Sequence, residues 1–209
     1  MTTPRDLLLV TTDLPADRPV EQGDLSLALA GAELVDLVEA EALSLDGDRI
    51  VPGLQPDLGD RLLNEAASSL IRQAPYESVE DWLWRRGRGL ASGYRAVLEA
   101  EGEITRQRHR WLPLRTDRTD RTDRTASAAS PARRHAAERW TSREPVLACL
   151  AAAVRIHDEP ETDLVDMGIA DDAVETILAT VNEAVTELES VRQRRRIEDA
   201  AFDNIWRGQ

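Results

Sequence analysis

Apolar residues recur along this chain mostly at helical spacing. From Asp24 to about Glu41, positions Leu27, Ala30, Leu34, Leu37 and Val38 keep a helical period, while Glu33, Asp36, Glu39 and Glu41 fall largely off that stripe. The pattern predicts an amphipathic helix. Gly31 inside it costs about 1 kcal/mol relative to Ala, so a close helix contact explains it better than a break does. Toward the C-terminus, Val174, Ile177, Leu178, Val181, Val185, Leu188 and Val191 mark a longer amphipathic helix from Asp171 to about Arg196. Arg192 and Arg194 to Arg196 sit at its end, where cations favour the helix dipole. The nearly all-apolar segment Val146 to Ile156 predicts a buried helix, with Cys149 as an inert core residue.

Capping and turn residues divide the remainder. Thr3-Pro4 opens a short helix through Leu7 to Val10, which ends in the Pro- and Asp-containing stretch Leu14 to Pro19. Asp46-Gly47, between two short alternating segments, predicts a tight hairpin over Leu43 to Val51. Pro56 to Asp60 turns into a helix carrying Leu62, Leu63, Ala66, Leu70 and Ile71. Ser78, with Asp81 three residues on, resembles a capping box and starts the helix of Trp82, Leu83 and Trp84. Gly87 and Gly89 break that helix, and the next, Leu90 to Glu101, closes at Gly102. Ile104 to Leu114, with Arg106, Arg108, Arg110 and Trp111, suits a second, Arg-decorated hairpin. Arg115 to Thr125 spells RTDRTDRTDRT, a tract that buries no apolar surface and predicts a flexible, solvated loop over about 115–129. Ser130-Pro131 then restarts helix. The expected fold is mainly α: a single helical domain over 1–209 with two small β-hairpins.

Composition sharpens this picture. The 209 residues are 42% apolar but only 4% aromatic, so the core is built from Leu, Val and Ala on close-packed helices. The single Cys149 excludes an internal disulfide and a thiolate metal cluster. The chain starts without the long apolar stretch of a signal peptide and no window approaches 18 uninterrupted apolar residues, so a cytoplasmic location is expected, with any membrane contact peripheral. Net charge is −13, and all 26 basic residues are Arg. Residues 1–84 are net −12, residues 85–143 are net +8, and residues 144–209 are net −9. An anionic partner is therefore attracted only at the central basic island, within about 8 Å in physiological salt. The alternative is that the oppositely charged thirds neutralise one another within the fold.

Catalytic chemistry has few candidates. His109, His135 and His157 lie in separate elements without metal-ligand spacing, so no metal is expected. No GxSxG, P-loop or GxGxxG motif is present, and no cofactor is expected. Acidic pairs such as Asp171-Asp172 suit helix capping better than acid–base work. The expectation is a protein that is not an enzyme.

The order of several segments is more specific. Leu27-Ala-Leu-Ala-Gly-Ala-Glu-Leu-Val-Asp-Leu37 is followed by Ala42-Leu-Ser-Leu-Asp-Gly-Asp-Arg-Ile-Val51, then by Pro56-Asp-Leu-Gly-Asp-Arg-Leu-Leu-Asn-Glu-Ala66. Val79-Glu-Asp-Trp82 and Val97-Leu-Glu-Ala-Glu-Gly-Glu-Ile104 complete the series. In order and spacing this resembles the Golgi phosphoprotein 3 family, especially its bacterial members, over most of residues 5–160. The resemblance implies a mainly helical globule with small hairpins. It also implies a peripheral membrane protein: eukaryotic members bind phosphatidylinositol 4-phosphate and retain glycosyltransferases by their cytoplasmic tails. Their lipid pocket uses a Trp and an Arg near the first long helix and an Arg pair on a later one. Here Ala30 takes the place of the first Arg, no aromatic residue lies between Leu14 and Leu45, and Arg88 alone corresponds to the later pair.

The residues themselves offer a substitute. Arg85, Arg86, Arg88 and Arg95 flank the Trp82/Trp84 helix, where guanidinium groups can grip phosphate and Trp84 can bed among headgroups. Four basic residues, each contributing about 1 kcal/mol near an anionic leaflet, suffice for a weak, salt-sensitive complex at the inner face of the cell membrane. The expected partners are anionic phospholipid headgroups, a phosphoinositide among them, with a client protein or a second copy of the chain as further candidates. A DNA-binding winged helix drawn over Ser78 to Leu114 is a different reading, but its recognition helix would bear Arg95 alone beside Glu99 and Glu101. Nucleic acid is therefore disfavoured. A third reading is a non-catalytic oligomeric scaffold that pairs through the hairpin around Trp111.

Overall fold

The computed structural model describes residues 2–13, 20–104, 130–156, 169 and 171–207, with the side chains of 200–207 excepted. Eight helices and one hairpin are seen among them: α1 (Thr3–Asp13), α2 (Gln22–Glu39), β1 (Leu43–Asp46), β2 (Arg49–Pro52), α3 (Arg61–Ser68), α4 (Val79–Arg86), α5 (Leu90–Ala100), α6 (Pro131–Thr141), α7 (Pro145–Ala153) and α8 (Asp172–Arg207). This is the mainly α architecture that the apolar spacing predicts. The second predicted hairpin, apart from the buried Ile104, and the RTD tract lie outside the described residues.

α2 is the hub, contacting α1, α3, α4, α5, α7, α8 and β1. Its residues Leu25 to Val35 are buried without interruption. The expected two-faced helix is thus corrected: Glu33 is 0% exposed. A helix enclosed on all sides needs no polar face, and one charge inside it requires a partner. Gly31 makes the close contact expected of it. A Cβ there would overlap Val181 Cγ2 of α8, so the two helix backbones approach through the missing side chain.

Chain stops follow from local chemistry. At the end of α5, Glu103 N–H donates to Leu98 O (2.8 Å) and Gly102 N–H to Glu99 O (3.2 Å), with Gly102 at φ 77°. This double bond pattern requires a left-handed residue after the cap, the conformation glycine adopts without strain. α2, α6 and α7 end with the same pattern but place Glu41, Arg143 and Arg155 in the left-handed position. α3 stops at Ser68, earlier than its apolar residues suggest, leaving Leu70 buried and Ile71 exposed in the following loop.

The hairpin pairs Leu43 with Pro52 and Asp46 with Arg49. It is stitched to the start of α4 by Ile50 N–H to Glu77 O and Val79 N–H to Asp48 O, both 2.9 Å. α8 supplies Val174, Ile177, Leu178, Val181 and Val185 to the core as its stripe predicts, but it continues to Arg207 rather than ending near Arg196.

Candidate functional site

The candidate arginines surround the α4–α5 corner. Ser78 caps α4, its hydroxyl accepting Asp81 N–H (3.0 Å) and donating to Asp81 Oδ2 (2.8 Å). The cap fixes the helical phase of the tryptophans. Trp82 points inward, 0% exposed, and its indole N–H donates to Ala30 O at 3.2 Å. Trp84 is half-buried against the core.

Arg85 and Arg86 are both neutralised. The Arg85 guanidinium lies over the Trp82 ring, 5.0 Å from its centroid, and makes a two-pronged contact with the buried Glu77 carboxylate at 2.6 and 2.7 Å. It also donates to Ser69 O. Arg86, 12% exposed, grips Glu33 with two bonds of 2.8 and 2.9 Å and donates to Leu62 O. Tyr94 O–H donates to the same Glu33 carboxylate at 3.0 Å. Burial pushes the Glu33 carboxyl upward, and Arg86 and Tyr94 pull it back. The Tyr94 hydroxyl is itself driven well above its ordinary range, by burial first and Glu33 second. Glu33, Arg86 and Tyr94 therefore join α2, α4 and α5 as a structural lock. Nearby, Arg5 clamps Asp60 (2.6 Å) and Glu101 (2.5 Å), joining α1 to the start of α3 and the end of α5.

Arg88 and Arg95 behave differently. Arg88 sits between Gly87, which closes α4, and Gly89, which caps α5; Arg95 is nearly two turns into α5. Both side chains are exposed, and neither is in an ion pair with a described residue. The five candidate residues thus separate into a structural pair, Arg85 and Arg86, the exposed Arg88 and Arg95, and the half-buried Trp84. Glu77, Glu33 and Tyr94 were not visible as site residues in the sequence. The one usable signal is the apolar run around Glu33, Leu27 to Val35, which marks an enclosed stretch of helix whose acid must find a base.

Charge neutralisation across the fold recurs elsewhere in the basic island. Arg133 pairs with Asp13, and Arg139 bridges Asp6 and Glu144, both at 2.8 Å. The described residues contain no group of three or more His, Cys, Asp or Glu able to hold a metal ion. Burial pushes the Cys149 thiol up to about 11, leaving it protonated and unreactive at neutral pH. No described helix is long and apolar enough to cross a membrane.

The fold is a mainly helical one around one buried central helix, with a small hairpin and a guanidinium-bearing corner between α4 and α5. The sequence model of the Golgi phosphoprotein 3 (GPP34) family matches residues 4–196, nearly the whole chain, and the protein belongs to that family. No curated protein and no solved structure matches it.

Proposed function

We propose that the protein is a non-enzymatic, peripheral membrane adaptor that docks on anionic phospholipid headgroups through Arg88 and Arg95, with Trp84 at the rim of the contact. The observation that supports this most is the release of these two guanidinium groups from the neutralisation that takes Arg85 and Arg86. A guanidinium without a carboxylate partner keeps its five donors for a phosphate. The resemblance adds a class of ligand: it implies recognition of phosphatidylinositol 4-phosphate, with Arg88 the one position that it matches to the family's later arginine pair. Two free arginines favour weak, reversible association at the cytoplasmic leaflet over permanent anchoring. The DNA reading has no comparable support, since α5 bears Arg95 with Glu99 and Glu101.

Co-sedimentation with vesicles tests the proposal. The protein is expected to pellet with vesicles containing phosphatidylglycerol or phosphatidylinositol 4-phosphate and to stay in solution with phosphatidylcholine alone. Replacing Arg88 and Arg95 together by Glu should remove the pelleting and leave the circular dichroism spectrum and melting temperature unchanged. Equal association of the double variant, or equal association with neutral vesicles, would remove this surface from the mechanism. Preference for phosphatidylinositol 4-phosphate over phosphatidylglycerol at equal charge would separate headgroup recognition from general attraction.

A further inference from the structure

The outer face of α8 carries a row that the lipid reading does not use. Its buried stripe ends at Val185, with Leu188 half-covered. The ion pair of Arg192 with Asp24 of α2 is the last ion pair to the body among the described residues, and every residue from Gln193 to Asp199 is exposed. The helix continues to Arg207, so about 22 Å of it extends beyond that tie. On the face opposite the core lie Glu183, Glu187, Ser190, Arg194 and Ile197, all exposed. Their spacing of 4, 3, 4 and 3 puts them on one line along the helix, along which a second helix can lie.

Three features of this row need a partner. Ile197 is 64% exposed, one of the few large apolar side chains in the described surface that are. Arg194 forms no ion pair with any described residue. About two to four turns upstream of Arg194, a cavity of about 240 Å³ is lined by Glu80 of α4 and by Thr180, Glu183, Ala184 and Glu187 of α8. Glu80, Glu183 and Glu187 are likewise in no ion pair with a described residue.

We propose that this face pairs with the same face of a second copy, the two α8 helices running antiparallel. Antiparallel packing along a heptad seam alternates the two kinds of seam position across the interface. Centred between Glu187 and Ser190, that register sets Arg194 of each copy against Glu183 of the other. It sets Ser190 against Glu187 and Ile197 against Thr180. The arginine thereby enters the acidic cavity, and Ile197 is covered by the helix that forms the cavity wall. The two-fold axis repeats each contact, so the surface is complementary to itself. A parallel pair would place Arg194 against Arg194 and Glu187 against Glu187, and like charges reject it. The occupant is thus a second copy rather than a lipid surface, because the acids Glu183 and Glu187 occupy one half of the line and Arg194 the other, which makes the face complementary to its own antiparallel copy.

Sedimentation velocity of the full chain across a concentration series tests this. A reversible monomer–dimer equilibrium is expected, weakening as NaCl rises. Arg194→Glu and Glu183→Arg should each weaken the dimer about ten-fold or more, and the double variant R194E/E183R should restore it. Ile197→Asp should abolish it. A monomer at every concentration up to several hundred micromolar overturns the pairing, as does a dimer indifferent to both charge reversals. If Arg194→Glu reduces pelleting with phosphatidylglycerol vesicles while the oligomeric state stays unchanged, the row is a lipid contact and the pairing is wrong. Because Arg88 and Arg95 are outside the seam, their variants should dimerise normally, so failure of the lipid proposal and failure of this one are read separately.

Discussion

Asp36 shows how a single carboxylate sets a pH response. It is largely buried on α2 and accepts the Thr3 backbone N–H at 2.9 Å, anchoring the start of α1. Burial raises its pKa from 3.8 to about 6, against the pull of the Thr3 bond. A carboxyl held above its unfolded value binds its proton more tightly in the folded state. Its contribution is therefore full at low pH and is lost as pH rises from about 4 to about 6. The gap corresponds to about 3 kcal/mol, so Asp36→Asn, which keeps an acceptor for Thr3, should show a flatter stability profile across that interval. Urea unfolding at pH 4, 5, 6 and 7 measures it, and parallel profiles for the two proteins would show that the carboxylate stays charged in the fold. Glu41 offers an independent check at the same scale. It occupies a left-handed position, φ 54°, where a Cβ is strained, so Glu41→Gly should raise the stability by up to about 1 kcal/mol and increase the melting temperature.

At the scale of elements, the α2–α8 contact depends on the absence of one methyl group. Gly31→Ala gains up to about 1 kcal/mol of helix propensity. The added Cβ, however, overlaps Val181, a fully buried β-branched residue whose side chain is stiff at χ1. Overpacking of this kind costs about 1–3 kcal/mol and should prevail, giving a net loss in denaturant unfolding. Pairing the change with Val181→Ala should recover part of that loss, and additive losses would place the cause elsewhere. This contact was legible in advance because a glycine within an otherwise strong helix pattern has few uses. The helix types, the first hairpin and the Ser78 cap were legible for similar reasons: each rests on residues within one or two turns of one another. The end of α3 was not, because Leu70 and Ile71 continue an apolar pattern that the chain uses once in the core and once at the surface. Nor was the division of the arginines. Arg86 and Glu33 are separated by 53 positions, and only tertiary packing decides that Arg86 is locked while Arg88, two residues on, is free. A prediction follows from that division. Removing one member of a buried ion pair leaves the other uncompensated, so Arg86→Ala should destabilise the protein by about 3–5 kcal/mol, whereas Arg88→Ala should leave its melting temperature unchanged.

For the whole molecule, the balance between a local pair of arginines and a net charge of −13 gives the lipid proposal a distinctive salt dependence. Charges act across about 30 Å at 0.01 M salt, about 8 Å at 0.15 M and about 3 Å at 1 M. At the lowest salt an anionic membrane feels the entire acidic body, and repulsion opposes the approach of the α4–α5 corner. Near physiological salt the body is screened beyond its immediate surface, while Arg88 and Arg95, already at contact distance, still engage phosphate. At 1 M that contact is weakened as well. Association with phosphatidylglycerol vesicles should therefore rise and then fall between 0.01 and 1 M NaCl, with its maximum at intermediate salt. An ordinary basic patch on a neutral or cationic protein gives a steady decline from the lowest salt, because attraction dominates at every range. Pelleting measured at five or six salt concentrations distinguishes the two curves. A steady decline would mean that the docking surface holds many more cations than Arg88 and Arg95, and would shift attention to the arginine-rich segment 106–124 as the main contact.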